Sequence, residues 1–180
     1  EEFGPDSEVE IVLVISNRES AGGLERARER GVPAVVLRDP ADEVEWIALL
    51  ERHQVQLVVL AGYLRLVPGA VIQRWQGRIL NVHPGPLPAF GGQGMYGRRV
   101  HEAVLESGRS ESAATVHVVD EEYDRGPVLA TVPVRILPGD TPDTLAARVL
   151  KAEHRLLPAV VRAAARAGHP VALPEPLEQA

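Results

Sequence analysis

An open, mostly parallel α/β sheet flanked by helices, with an antiparallel C-terminal portion, is the fold class this sequence predicts. Three observations lead there. Short apolar runs alternate with amphipathic helical stretches from Glu8 to Val82, the pattern of strands joined by crossover helices. Gln56 to Ala61 (QLVVLA) is continuously apolar, as a strand covered on both faces is. Further on, Ala113 to Val119 and Pro127 to Ile136 are strand-like runs joined by an acidic turn, Asp120 to Gly126, which suits a hairpin.

The elements follow in order. Glu8 to Ser16 (EVEIVLVIS) reads as a strand with a β-branched centre. Ala21 to Arg30 reads as a helix closed by Gly31 in the left-handed position a helix end favours. Ala34 to Leu37 is a short strand. Pro40 to His53 is helical, with Val44, Ile47, Ala48 and Leu50 near one face. Pro68 to Trp75 is a short helix followed by Gly77, and Arg78 to Val82 is the next strand. Gly91 to Gly97 is a glycine-rich loop and Arg98 to Glu106 a helix. Thr141 to Ala167 forms one long helix or two, with Thr141 as N-cap and Pro142 at the first helical position. The Pro-rich tail from Gly168 belongs on the surface.

Composition narrows the function classes. With 180 residues and 45% hydrophobic content the chain builds one globular domain. Aromatics are only 4%, so aliphatic residues fill the core. A net charge of -6 argues against nucleic-acid or anionic-membrane partners. The absence of cysteine excludes disulfides, thiolate metal sites and cysteine nucleophiles, and fits a cytoplasmic setting. No apolar run approaches a membrane span and no signal peptide opens the sequence. The first residue is Glu1 rather than Met, so the natural chain is expected to extend upstream.

Asn81-Val82-His83-Pro84-Gly85-Pro86-Leu87-Pro88 carries the strongest chemical signal. In an extended segment residues i and i+2 share a side, so Asn81 and His83 present an amide donor and an imidazole to one spot. The prolines end the strand there and hold the pair. Such a pair suits a reaction that builds charge on an oxygen while moving a proton. Ligands of open α/β sheets bind beyond the carboxyl ends of strands, where Gly62-Tyr63-Leu64-Arg65 also lies. Asp124 is the second candidate: a carboxylate against His83 would orient the ring and favour its protonated form, whereas the plain alternative is a solvated acidic hairpin. The Gly91 to Gly97 loop matches no phosphate-loop spacing, and Glu153 and His154 sit in a helix that otherwise only packs. No His/Asp/Glu cluster has metal-ligand spacing.

Four ordered motifs resemble the phosphoribosylglycinamide formyltransferase family of folate-dependent enzymes. They are Asn81-Val82-His83-Pro84 with Leu87-Pro88; Thr115-Val116-His117-Val118-Val119-Asp120 through Asp124-Arg125-Gly126-Pro127-Val128; Ala61-Gly62-Tyr63-Leu64-Arg65-Leu66; and Arg148-Val149-Leu150-Lys151-Ala152-Glu153-His154. The resemblance covers about Val9 to Val161 and implies a Rossmann-like formyltransferase domain spanning 1–180. It implies formyl transfer from 10-formyltetrahydrofolate, as co-substrate, to the amine of glycinamide ribonucleotide in purine biosynthesis, without a metal. Asn81, His83 and Asp124 would be catalytic. Leu64, Arg65, Leu66, Val67, Asn81, Asp120, Glu121, Glu122, Tyr123 and Asp124 would line the folate pocket, and Leu150, Lys151 and Glu153 the substrate site. No nucleic acid or membrane partner is implied, and a homodimer is allowed.

Departures from the family pattern are also present. Gly85-Pro86 stands where Ser-Leu is common, and Ala113 where Gly is usual. No segment corresponds to the family's opening strand and its Gly-Ser-rich phosphate-binding loop; Glu8 to Ser16 matches the family's second strand. Formyltetrahydrofolate hydrolase and a non-catalytic folate-binding paralogue are the alternatives.

Overall fold

The computed structural model describes residues 7–173 and Leu177. β1 (Val14–Ser16) is followed by α1 (Gly22–Glu29), β2 (Ala34–Val36), α2 (Glu43–Arg52), β3 (Val58–Leu60), α3 (Gly69–Arg74) and β4 (Ile79–His83). Then come α4 (Arg98–Glu106), the paired strands β5 (Glu111–Val118) and β6 (Val128–Arg135), and α5 (Pro142–Ala167). β1 pairs parallel with β2, β3 parallel with β4, and β4, β5 and β6 run antiparallel in that order. The α/β class and its antiparallel C-terminal portion are as the sequence predicts.

The strands form two ladders: the two-stranded β1–β2 is separate from the four-stranded β3–β4–β5–β6, in keeping with the lack of a segment corresponding to an opening strand. β1 and β3 each keep an unpaired edge among the described residues. For the same reason the first strand is shorter than Glu8 to Ser16. Only Val14–Ser16 has a partner, and a strand without a ladder has nowhere to place its backbone groups.

Helix ends follow the local chemistry. Asp42 caps α2 by accepting from the Glu45 N–H at 2.9 Å, so the helix starts at Glu43 rather than Pro40. At α5, Thr141 accepts from the Thr144 N–H while the Thr144 hydroxyl accepts from the Thr141 N–H, a reciprocal cap that starts one continuous helix of 26 residues. Gly168 closes it at φ 76°. Leu173 beyond it donates its N–H to Leu129 O at 3.1 Å, so this part of the tail is tied to β6.

Helices cover both faces of the larger sheet. Leu80, Ala114, Val116, Val132 and Val134 pack under α4 and α5 against Val100, Val104, Leu145, Val149, Leu156 and Val160. On the other face Ile79, Val58 and Leu60 meet Trp46, Leu50, Val71, Ile72 and Trp75 of α2 and α3. β3 is less covered than its apolar run predicts: Val59, pointing away from α2 and α3, is 38% exposed. Ile79 and Leu80 anchor β4 between both clusters, which makes its carboxyl end a rigid platform for Asn81 and His83.

Candidate active site

The site is built at the end of β4. Register with β5 sets Asn81 directly opposite His117 and His83 opposite Thr115. Thr115, fully buried, donates its hydroxyl to Gly85 O at 2.8 Å, which ties the turn after His83 to β5. The β5–β6 connection folds back over the sheet and brings Asp124 to the same spot. Gly126 makes this return possible, since a Cβ there would stand 2.9 Å from the Val118 carbonyl carbon. Asp124 itself has φ 56°, a left-handed conformation that Asp tolerates better than most residues.

The three expected catalytic residues converge. Asp124 Oδ2 lies 3.5 Å from His83 Nδ1, with the ring 3% and the carboxylate 11% exposed. Asp124 Oδ1 lies 3.5 Å from Asn81 Nδ2. Backbone groups of the following loop hold both partners: His83 Nε2 donates to Phe90 O at 2.7 Å, and the Gly92 N–H donates to Asp124 Oδ2 at 3.0 Å. A carbonyl only accepts, so Nε2 carries a proton and Nδ1 is the ring atom left to exchange one. The sequence motifs do not reveal this backbone clamp, because it uses main-chain groups that any residue carries.

Electrostatics revise one expectation. Burial pushes the His83 imidazole down, and it outweighs the upward influence of Asp124 and the Phe90 carbonyl. The free ring therefore gives up its proton more readily than the neighbouring carboxylate alone suggests. At Asp124 burial pushes upward, but the contacts with His117, His83 and the Gly92 N–H prevail and hold the carboxyl below its ordinary range.

His117 belongs to a sequence motif that assigns it no role, yet it is 2% exposed and sits inside the site. Its Nε2 lies 3.1 Å from Asn81 Nδ2 and 3.4 Å from Asp124 Oδ1, and its Nδ1 is 2.9 Å from Val118 O. Alternation along β5 was the available signal, but only the register with β4 shows what it faces.

The remaining expected residues divide by position. Leu64, Arg65 and Leu66 form an exposed loop after β3, while the Val67 side chain is in the core beneath. In the β5–β6 connection Glu121 and Glu122 are exposed, Tyr123 is half-buried, and Asp120 accepts from the Glu122 N–H at 3.0 Å. A cavity of about 660 Å³ is lined by Ala61, Gly62, Val82, Leu150, Glu153, His154, Leu157 and Pro158. Val82, between Asn81 and His83, forms its wall on the opposite sheet face. Leu150 and Glu153 thus share the cavity, as i and i+3 on one helix do. Lys151 does not: one position round the helix, it is exposed and off the lining. Burial pushes the Glu153 carboxyl up to about 7, and among the described residues nothing pairs with it. A cleft of about 510 Å³ at the amino end of β4, beside the Arg74–Glu51 ion pair, contains none of these residues.

Among the described residues no group of three or more His, Asp or Glu is placed to hold a metal, and no helix is long and apolar enough to cross a membrane.

Comparison with known proteins points the same way. Residues 4–161 match the family model described as formyl transferase. The chain is 47% identical over 161 residues to the chloroplastic phosphoribosylglycinamide formyltransferase of Arabidopsis thaliana, covering 86% of this chain and 55% of that protein. The chain thus spans about half the length of the curated plant relatives it matches. The phosphoribosylglycinamide formyltransferase of Anaplasma phagocytophilum superposes with a TM-score of 0.85 at 36% identity, covering 92% of this chain and 78% of that one. A formyltetrahydrofolate deformylase from Pseudomonas syringae superposes at 0.77 with 26% identity, covering 88% and 52%. With its Asn81, His83 and Asp124 gathered at one strand end, the chain belongs to the formyl transferase family, on the branch of the phosphoribosylglycinamide formyltransferases.

Proposed function

We propose that this unit transfers the formyl group of 10-formyltetrahydrofolate to the amine of glycinamide ribonucleotide. The convergence of Asn81, His83 and Asp124 carries this reading. Asn81 donates an amide hydrogen to the oxygen on which charge develops as the amine attacks the formyl carbon. His83, neutral at Nδ1 in the free protein, accepts the proton released by the amine and returns it to the departing folate nitrogen. Asp124 stabilises the imidazolium that exists between these steps. The reaction needs no covalent link to the protein.

The exposed Leu64 to Leu66 loop and the Asp120 to Asp124 connection flank the trio and suit the folate. Leu150 and Glu153 suit the ribonucleotide, with Glu153 toward its ribose hydroxyls. The open edges of β1 and β3 suit the family's opening strand and phosphate-binding loop. In this reading residues 1–180 are a single formyltransferase domain to which that strand and loop would add the phosphate site.

The test is formyl transfer to glycinamide ribonucleotide by this chain and by a version preceded by the family's strand and loop. Activity in the longer version, lost by about 100- to 1000-fold on Asn81→Ala, supports the reading. Formate release without transfer in both would favour the hydrolase. Folate binding without either reaction would favour the non-catalytic paralogue.

A further inference from the structure

We propose that His117 is a positioning residue that sets which group of Asn81 faces the reacting carbon. The argument rests on hydrogen-bond roles. His117 Nδ1 is 2.9 Å from Val118 O, and a carbonyl only accepts, so Nδ1 carries a hydrogen. In the neutral ring Nε2 is then a bare acceptor. Its shortest polar contact is Asn81 Nδ2 at 3.1 Å, which must donate. The amide nitrogen is thereby turned toward His117. Its second hydrogen lies over the same region as Asp124 Oδ1, only weakly held at 3.5 Å, and is free to pass to a developing oxyanion.

Without this acceptor the amide can rotate by half a turn and present its oxygen, which repels negative charge. Both ring nitrogens of His117 are engaged inside the protein, Nδ1 by Val118 O and Nε2 by Asn81 Nδ2, so in this proposal it acts on the reaction through Asn81, its nearest polar side chain. The competing arrangement has both ring nitrogens protonated, with Nε2 donating to Asp124 Oδ1 at 3.4 Å and so helping to hold that carboxyl down. That arrangement requires the Asn81 amide to be reversed.

Two measurements test the inference, which rests on the formyl-transfer reading. The first needs no activity: long-range proton–nitrogen NMR spectra of the histidine rings in the full chain. A protonated Nδ1 and bare Nε2 at His117, with a nitrogen–nitrogen coupling across the hydrogen bond to Asn81, are expected. A protonated Nε2 overturns the proposal whatever the enzyme does. The second is a double-mutant cycle in formyl transfer, run on the version that is active. His117→Phe is expected to lower kcat by about 10- to 100-fold, below the ~100- to 1000-fold for losing an oxyanion donor outright, with KM for the folate little changed. His117→Gln, which can place an oxygen near the Nε2 position, is expected to recover much of this. In an Asn81→Ala background the His117 change is expected to cost nothing further. Equal losses in both backgrounds overturn the proposal. If His117→Phe fails to fold, the ring spectra of the unaltered chain decide it alone.

Discussion

Gly126→Ala is expected to damage stability and the site together. The added methyl would stand 2.9 Å from the Val118 carbonyl carbon and closer still to its oxygen. Carbon–carbon contacts settle near 3.5–4.0 Å, so the backbone must yield by at least roughly 0.6–1.1 Å, and by more at the nearer oxygen. Val118 cannot yield freely. Its N–H donates to Pro127 O at 2.9 Å, and the next amide, Val119 N–H, donates to Ile79 O at 2.8 Å. Both contacts lie within the ladder that supports Asn81. Overpacking of this kind typically costs about 1–3 kcal/mol, which for a chain of this size lowers Tm by about 2–12 °C. The strained oxygen is also the one that holds His117 Nδ1, and Asp124 is two residues away, so activity should fall more than the stability loss explains. Thermal unfolding and kcat would be compared with those of Arg125→Ala, an exposed neighbour expected to change Tm by little. A Gly126→Ala protein with unchanged Tm and kcat would refute the reasoning that this return path is sterically closed.

Thr115→Val keeps the shape of a fully buried side chain but leaves Gly85 O without its donor, and is expected to cost about 1–3 kcal/mol in urea unfolding; no change in midpoint would count against that bond. Tyr63→Phe removes a buried hydroxyl that has no partner and is expected to raise stability by up to about 1 kcal/mol, so a clear loss would show the hydroxyl is satisfied. For Glu153 the folded carboxyl sits near 7 against 4.5 ordinarily. The native state therefore binds more protons in that window, and stability falls as pH rises through it. Glu153→Gln should match the parent at about pH 4 and exceed it by about 1–2 kcal/mol at about pH 8, after allowing for partial exposure; equal Tm values at both would contradict this. Because burial pushes His83 below 6.5, kcat/KM should fall on acidification only below that value. An acid limb at higher pH would show that Asp124 dominates the ring.

Much of this was legible without coordinates because it depends on local chemistry. Arg98 to Glu106 is the α4 helix residue for residue, Thr141 with Pro142 marks the α5 start, and Gly31 and Gly77 both take positive φ, 70° and 69°. Period-two geometry by itself places Asn81 and His83 on one side of an extended segment. The four motifs also supplied Asp124 and Glu153.

What the chain alone leaves open are relations between distant segments. Lys151 and Glu153 lie two positions apart in one motif, and only the rotation of α5 against β4 puts Glu153 in the cavity and leaves Lys151 outside. The direction of the His83 shift required its burial. A carboxylate partner can be guessed from sequence, but the desolvation that outweighs it comes from the packed surroundings. His117 became part of the site through a register that pairs it with Asn81 across 36 residues of chain. Residue types and their local spacing thus determined the elements and the chemical groups. Tertiary structure decided their burial, their register and so their partners, because desolvation and hydrogen-bond direction exist only once distant segments are packed together.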